Sequence, residues 1–442
     1  MEEYQAPKHI LQVLKEIEYE EALKLGDQRY VDTRAARGSQ KTLFRLGRKF
    51  GLDLNSGAFF PPTSKHVLFF GHTGSGKTTE LRHYAKELSG PSRYLVVEVD
   101  IPEELDIHNL QYADTLMAMA RSLLKRLAET QVDLGADALA ELEKWFCERV
   151  LNSDVAKEFS AQIGSGIEAK GGIPYLVNLF SRFTVAFKTN ATYKDSMRRV
   201  IRDTFAMFAC AFNNLLRRAE AALEAGGIAT RVLFVIDGTD KLRGEDRSAF
   251  FVQDAERLLA IDAHVIYAAP LSLKYEGNTG KLDDLVLPMI KLYERDGARC
   301  EAGWSALRCI LLKRADRSLF AGEAEIAQII ERCGGHPREM LRLLKLCCEF
   351  EESGLIDAAT VEAAIKQLAS EYRRFLEPED YPLLANIDRN PVHGGNDERT
   401  RKLLYNLALL EYNDGSWRRS HPAVRLLDGY ISAKTAQQAS GG

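Results

Sequence analysis

The sequence predicts an α/β fold, a parallel sheet with a large helical insertion, followed by a helical segment and a C-terminal winged helix. Three observations carry this reading. Strand-length apolar runs (Val67 to Phe70, Arg93 to Ile101, Val232 to Ile236, His264 to Ala269, Leu285 to Leu292) alternate with helical periodicity, the order expected of a parallel sheet covered on both faces. Between the second and third runs the chain reads almost wholly as helix, at Leu110 to Ala128, Ala138 to Val150 and Met197 to Ala225, with a glycine-rich turn from Ile163 to Pro174. Near the C-terminus, helical Leu403 to Leu410 leads into Leu410-Glu411-Tyr412, the turn Asn413-Asp414-Gly415, and Ser416-Trp417-Arg418-Arg419, and helices closed by such a hairpin suggest a winged helix.

The remaining elements follow in order. Ile10, Leu11, Leu14 and Ile17, then Leu43, Leu46 and Phe50, recur at helical spacing around a break at Gly26-Asp27, a short helical lead-in whose Lys41, Arg45, Arg48 and Lys49 read as a solvated face. From Trp304 to Leu376 the pattern is wholly helical, with Gly334-Gly335-His336-Pro337 as a break before the helix that Arg338 begins. The small polar residues beyond about Lys434 predict disorder. The boundaries are an N-terminal helical segment 1–58, the sheet domain 59–295 with its insertion at about 103–228, helices 296–376, the winged helix 377–433 and a tail 434–442.

Composition narrows the partners. The 442 residues carry a net charge of −4, so the whole-chain balance favours neither nucleic acid nor a membrane surface, and any DNA-binding face has to be local. The seven cysteines include no C-x-x-C pair and read as small apolar residues in a reducing cytoplasm, not as a zinc site or a disulfide framework. With no basic-then-apolar leader and no apolar stretch of spanning length, a soluble cytoplasmic protein is expected.

The chemistry is concentrated at Gly71-His72-Thr73-Gly74-Ser75-Gly76-Lys77-Thr78, which fits the phosphate-loop pattern G-x-x-x-x-G-K-[ST] between a strand run and a helix containing Leu81, Tyr84, Ala85 and Leu88. Glycines let successive N–H groups point into one concavity, and the helix behind adds the positive end of its dipole. Residues Gly71 to Thr79 are therefore the candidate nucleotide cradle, with Lys77 on the β- and γ-phosphates and Thr78 on Mg²⁺. A Mg²⁺ site also needs an acid at a strand end, and Val232 to Ile236 deliver Asp237 there. A glutamate often follows this aspartate, but Gly238 stands in its place; Asp240 is the first choice as general base, with Glu98 and Asp100, on a strand expected beside the phosphate-loop strand, as rivals. Ser272, after the fourth strand, and Arg338, in a helix first turn, are candidates for sensing a third phosphate, each set against a plain structural role. No suitably placed N/T-K-x-D guanine motif occurs, which favours ATP.

With these residues placed, the chain resembles the ASCE division of P-loop NTPases, which has an extra strand between the phosphate-loop strand and the acid strand; Arg93 to Ile101 fits that place. More narrowly it is similar to STAND and initiator-like AAA+ ATPases, through Gly334, Gly335, Pro337 and Arg338, the Asn413 to Gly415 turn and His421-Pro422. Thr79-Glu80-Leu81, Val96 to Ile101, Ile266 to Pro270 and Leu287-Pro288-Met289 resemble bacterial ATPases of this group that accompany anti-phage and other conflict systems. The resemblance spans about residues 60 to 430 and implies a helical lid over the core, ATP and Mg²⁺ as cofactors, and assembly into a homo-oligomer or engagement of a separate effector protein. Gly238 and the long insertion depart from the pattern, and without a sensor repeat in the chain, a sensor or effector is expected on another chain. The leading expectation is an ATP-dependent molecular switch, an ATPase of low turnover. The alternative is a DNA-binding initiator or loader using Arg399, Arg401, Lys402, Arg418, Arg419 and Arg425, and a third reading, a small-molecule kinase, is disfavoured by the lid and winged helix.

Overall fold

Alternate residues of the phosphate-loop strand face opposite ways, and different parts of the chain cover the two faces. The computed structural model describes residues 4–440 except 39, 106, 108–109, 133, 147, 149–171, 190, 243, 277–280 and 393–394. Strands β1 (Lys65–Gly71), β2 (Tyr94–Asp100), β3 (Arg231–Asp237), β4 (His264–Pro270) and β5 (Asp283–Val286) form one sheet in the order β2-β3-β4-β1-β5, parallel throughout. Val67 and Phe69 of β1 pack with Leu46 and Phe50 of the lead-in and Leu81 and Tyr84 of the helix after the loop. Leu68 and Phe70 join the opposite core with insertion residues such as Leu116, Leu123, Phe208 and Phe212. The insertion thus supplies one covering layer of the sheet, which explains its apolar periodicity.

The lead-in comprises α1 (Ile10–Glu16), α2 (Arg34–Arg37) and α3 (Gln40–Lys49), and α4 (Lys77–Leu88) follows the loop. The described insertion contains α5 (Tyr112–Thr130), α6 (Ala136–Trp145), α7 (Ile173–Thr189), α8 (Ala191–Asp203) and α9 (Phe205–Ala225). The expected turn at Ile163 to Pro174 lies outside the described residues up to residue 171, and Ile173 and Pro174 open α7. After the sheet come α10 (Glu301–Leu312), α11 (Glu323–Arg332), α12 (Pro337–Phe350) and α13 (Ala358–Arg373). The winged helix is α14 (Asp380–Arg389), α15 (Glu398–Tyr405), the antiparallel hairpin β6 (Leu409–Tyr412) and β7 (Trp417–Ser420), and α16 (Asp428–Ser440). Asn413 and Asp414 take positive φ at the hairpin turn, as such a two-strand connection requires.

Three expectations are corrected. The strand at 93–101 does not lie beside β1 or between it and the acid strand: β2 pairs with β3 alone, at the sheet edge, and β4 sits between β1 and β3. Burial accounts for the order, since β4 is buried at every position whereas β2 exposes Glu98. The strand at 285–292 ends at Val286; Leu287 makes the last bond to Phe70, and Pro288, lacking an N–H, leads the chain out of the sheet. The tail is not disordered from Lys434, because α16 continues to Ser440, with Gln437 bonded to the Pro382 carbonyl and its own carbonyl accepting from Arg389.

A third core joins parts distant in sequence. Ile10, Val13 and Ile17 of the lead-in pack with Leu307, Ile329, Met340 and Leu344 of the lid helices and with Leu384, Leu409 and Tyr430 of the winged helix. The lid and wing are therefore one packed body, closed on its outer side by the N-terminal helix. It meets the connector that leaves the sheet at Gly335, whose φ is +88° and whose Cβ position lies 2.0 Å from the Ile290 carbonyl oxygen. Gly335→Ala is expected to destabilise the fold by about 2 kcal/mol or more, from left-handed strain and the backbone clash. Chemical denaturation checks this: an unchanged midpoint would mean that the connector yields freely.

Candidate nucleotide-binding site

The loop between β1 and α4 bends through Gly74 and Gly76, at φ +81° and +91°, which aims its backbone N–H groups into a concave nest at the helix N-terminus. At its inner end Lys77 is buried, donating to the Gly71 and His72 carbonyls at 3.0 Å each and lying 2.7 Å from Asp240. The Thr78 hydroxyl donates to Asp237 at 2.8 Å. Burial and the neighbouring Asp240 charge raise the Asp237 carboxyl above its ordinary range, while Asp240, although burial opposes its ionisation, is held below that range by the Lys77 ammonium. The residues that the sequence assigned to phosphate, metal and base thus meet at the C-terminal edge of the sheet. The donor set suits a triphosphate with Mg²⁺: a nest and an ammonium for the phosphates, and a hydroxyl and a carboxylate for the cation.

Gly238 has a steric reason. Its φ is +86°, and a Cβ there would fall 2.2 Å from Cδ of Pro102 at the end of β2, so a glutamate cannot occupy this backbone. Among the rivals for the base, Glu98 pairs with Arg82 with its side chain 48% exposed, and Asp100 caps the short helix Ile101–Glu104. Asp240 is the one of the three that pairs with Lys77, while Glu98 and Asp100 line a small pocket with Thr78 and Asp237. Ser272 is buried and accepts from Arg247 at 3.1 Å.

Arg338 comes in from the lid. A Cβ at Gly74 would lie 2.6 Å from its Nε, so the arginine rests directly on the loop. Beside it, His336 Nε2 donates to the Thr73 carbonyl at 2.9 Å while its Nδ1 accepts from the Glu339 N–H, which fixes a neutral tautomer. His72 points the other way: its Nε2 accepts from the Glu411 N–H of β6 at 2.9 Å. Hairpin and lid are joined in turn by Tyr412, whose hydroxyl donates to the Gly334 carbonyl at 2.6 Å.

The N-terminal segment supplies what the sequence reading missed. Arg37, 2% exposed, donates to Ser75 O at 2.6 Å, Pro288 O at 2.8 Å and the Thr33 hydroxyl, which itself bonds Glu80. Leu23 N–H donates to Thr79, Tyr30 stacks on His83 with centroids 3.6 Å apart, and Arg314 and Lys313 of the lid bond the carbonyls of residues 28–30. Between this strap, the loop and the lid lies a cavity of about 90 Å³ lined by Tyr30, Val31, Gly76, Ile310, Arg338 and Leu341. No motif marks it. The only sequence signal was the apolar and aromatic content of residues 19–33, which lack regular periodicity.

No protein-family model and no curated protein sequence matches the chain significantly. Among solved structures it is similar to a Walker-type ATPase of Pyrococcus abyssi, at 12% identity over 90% of this chain and 95% of that one, with a TM-score of 0.37. It is also similar to Cdc6p of Pyrobaculum aerophilum (12% identity, 92% and 99% covered, TM-score 0.32) and to the ORC2 protein of Aeropyrum pernix, solved as ADPNP–ADP complexes (12%, 97% and 98%, TM-score 0.33). These are distant likenesses. Strand order, loop and acid strand define a P-loop NTPase fold with a helical lid and a winged helix.

Burial, and then the Lys77 charge, hold His72 at about 3; burial, and then His72 and Arg338, hold His336 well below its ordinary value. His421 is likewise held at about 3 by burial and then Arg425. An unfolded chain protonates all three near pH 6.5, so the stability they contribute is present above that pH and lost as pH falls below it, by up to about 1.4 kcal/mol per pH unit for each imidazole. Asp237, raised, works in the opposite direction, as do the raised Glu104, Glu220 and Asp254, whereas His66, held at about 4 by burial, and His264 act with the three. The urea midpoint is expected to fall between pH 7 and pH 5; a flat profile would show that these imidazoles are not neutral in the fold.

Proposed function

We propose that the chain is an ATP-binding switch in which occupancy of the phosphate loop sets the position of lid and wing, and in which hydrolysis is slow. The observation that carries this is the grip on the loop's outer side: His336 and Arg338 from the lid, His72 to the wing and Arg37 from the strap all engage residues 72–76. A ligand that repositions this backbone alters contacts with lid, wing and strap together, which is the requirement for coupling. Residues Gly71 to Thr79 form the cradle, Lys77 engages the β- and γ-phosphates, Thr78 and Asp237 hold Mg²⁺, and Arg338 responds to the third phosphate. The strap cavity takes the nucleoside. Lys77 would turn from Asp240 to the phosphates of a bound nucleotide, and Asp240, released, would accept a proton from water; its pairing with Lys77 is the feature that favours slow hydrolysis.

The output is assembly into a homo-oligomer or engagement of a separate effector in the cytoplasm; an anti-phage setting rests on the sequence resemblance alone. Among the described residues no helix is long and apolar enough to cross a membrane. DNA binding through the wing is the second reading. Much of the basic set it needs is engaged within the chain: Arg418 bonds Glu411 and the Gly395 carbonyl, Arg425 faces Asp388, and Arg399 faces Glu379 and Asp380.

Lys77→Ala is expected to weaken ATP binding by about tenfold or more. It should also abolish any difference in hydrodynamic size or partner capture between the ATP and ADP forms. Sizes and captured partners that are the same in ATP, in ADP and in the variant would overturn the switch. A steep loss of duplex-DNA affinity between about 50 and 200 mM salt would favour the second reading. Asp240→Asn should lower ATP turnover with affinity largely kept, whereas Glu98→Gln should leave turnover unchanged; full activity in Asp240→Asn removes it as the base.

A further inference from the structure

The lid and wing enclose a second polar cavity, away from the phosphate loop, of about 100 Å³. Three arginines from three elements line it: Arg332 at the end of α11, Arg419 on β7, and Arg425 in the turn that follows the hairpin. Glu331 is the acid on its wall, and Asp388, 3.1 Å from Arg425, balances that guanidinium from outside. The remaining charge is positive. Arg419 donates to the Arg295 carbonyl at 3.1 Å and lies over the Trp417 ring, contacts that leave its charge without a counter-ion among the described residues.

The polar atoms point the same way. Trp417 is 3% exposed and stacks on Tyr412 with centroids 4.1 Å apart, and its indole N–H, buried, has no acceptor among the described residues. Nε of Arg332 is also buried without a hydrogen-bond acceptor among the described residues, whereas Nε of Arg425 faces an Asp388 carboxylate oxygen at 3.1 Å. An indole N–H and a guanidinium Nε can only donate. A small enclosed space lined by orphaned donors and excess positive charge is complementary to an oxyanion, since each buried donor left unmet costs free energy that an acceptor recovers.

We infer that this cavity is a binding site for a small oxyanion, a phosphate or carboxylate group, carried by a ligand distinct from the nucleotide on the phosphate loop. An anion here ties α11 to the hairpin, the same two parts that the Tyr412 to Gly334 bond connects. It would fasten the wing to the lid.

The site contains one of the three tryptophans, which gives a direct reading. Inorganic phosphate and, separately, acetate are titrated into the full-length protein while tryptophan fluorescence is followed. The expected result is a saturable change with one or both anions that disappears in Trp417→Phe. Its midpoint should rise about tenfold in Arg332→Gln and in Arg419→Gln, and should be unmoved in Lys77→Ala. Both arginines are at least partly solvent-exposed, so their replacement leaves the fold intact, and an unchanged thermal midpoint verifies that. Response to phosphate alone identifies a phosphate-bearing ligand, and equal response to acetate identifies a carboxylate. No saturable change with either anion, a response indifferent to both arginine variants, or one lost only in Lys77→Ala would overturn the inference. ATP binding plays no part in this experiment, so its failure leaves the switch reading standing, and the reverse also holds.

Discussion

The bond from His336 to the Thr73 carbonyl is the constraint from which the nucleotide face is built. It is formed by a neutral, buried imidazole with one ring nitrogen committed to the phosphate loop and the other to the helix it caps. That double commitment fixes the start of α12, and the start of α12 places Arg338 over Gly74. His72 repeats the device in the opposite direction, lending a loop side chain to the backbone of the wing. Because both imidazoles are shielded from water, their bonds are not exchanged for solvent contacts, and the loop is held more stiffly than its glycine content would suggest.

The charges inside the cradle have a related logic. Lys77 and Asp240 neutralise each other, and the two loop carbonyls that accept from Lys77 complete its coordination. A buried ammonium without such partners would be costly. In the proposed switch the same arrangement occupies the group that phosphates would need, so the protein's own acid would compete with the ligand. Gly238 belongs to this picture, since the turn that brings Asp240 to Lys77 runs through a backbone conformation with Pro102 against it and leaves no space for a side chain.

Much of this was legible in the sequence, wherever the signal was local. The loop motif, the apolar run ending in Asp237, the Gly-Gly-His-Pro break and the Asn-Asp-Gly turn each depend on a few consecutive residues whose backbone requirements leave a compositional mark. Strand order was not legible. β2 and β4 are both apolar runs, and their exchange in our expectation follows from the fact that pairing depends on contacts distant in sequence. The strap was missed for the same reason: Arg37 gains its meaning from Ser75 and Pro288, and nothing near it announces either partner. His72 sits at a variable position of the motif, where the pattern itself tolerates any residue.

The packing of α1 against the lid has a consequence for how the molecule is made. Ile10, Val13 and Ile17 leave the ribosome before the sheet domain, and their partners Leu307, Met340 and Leu344 only after all of it. At about 5–20 residues per second that delay lasts some tens of seconds. During this interval the first helix has an apolar stripe and no native surface to cover it. Covering it brings a segment made before the sheet domain back over helices made after it.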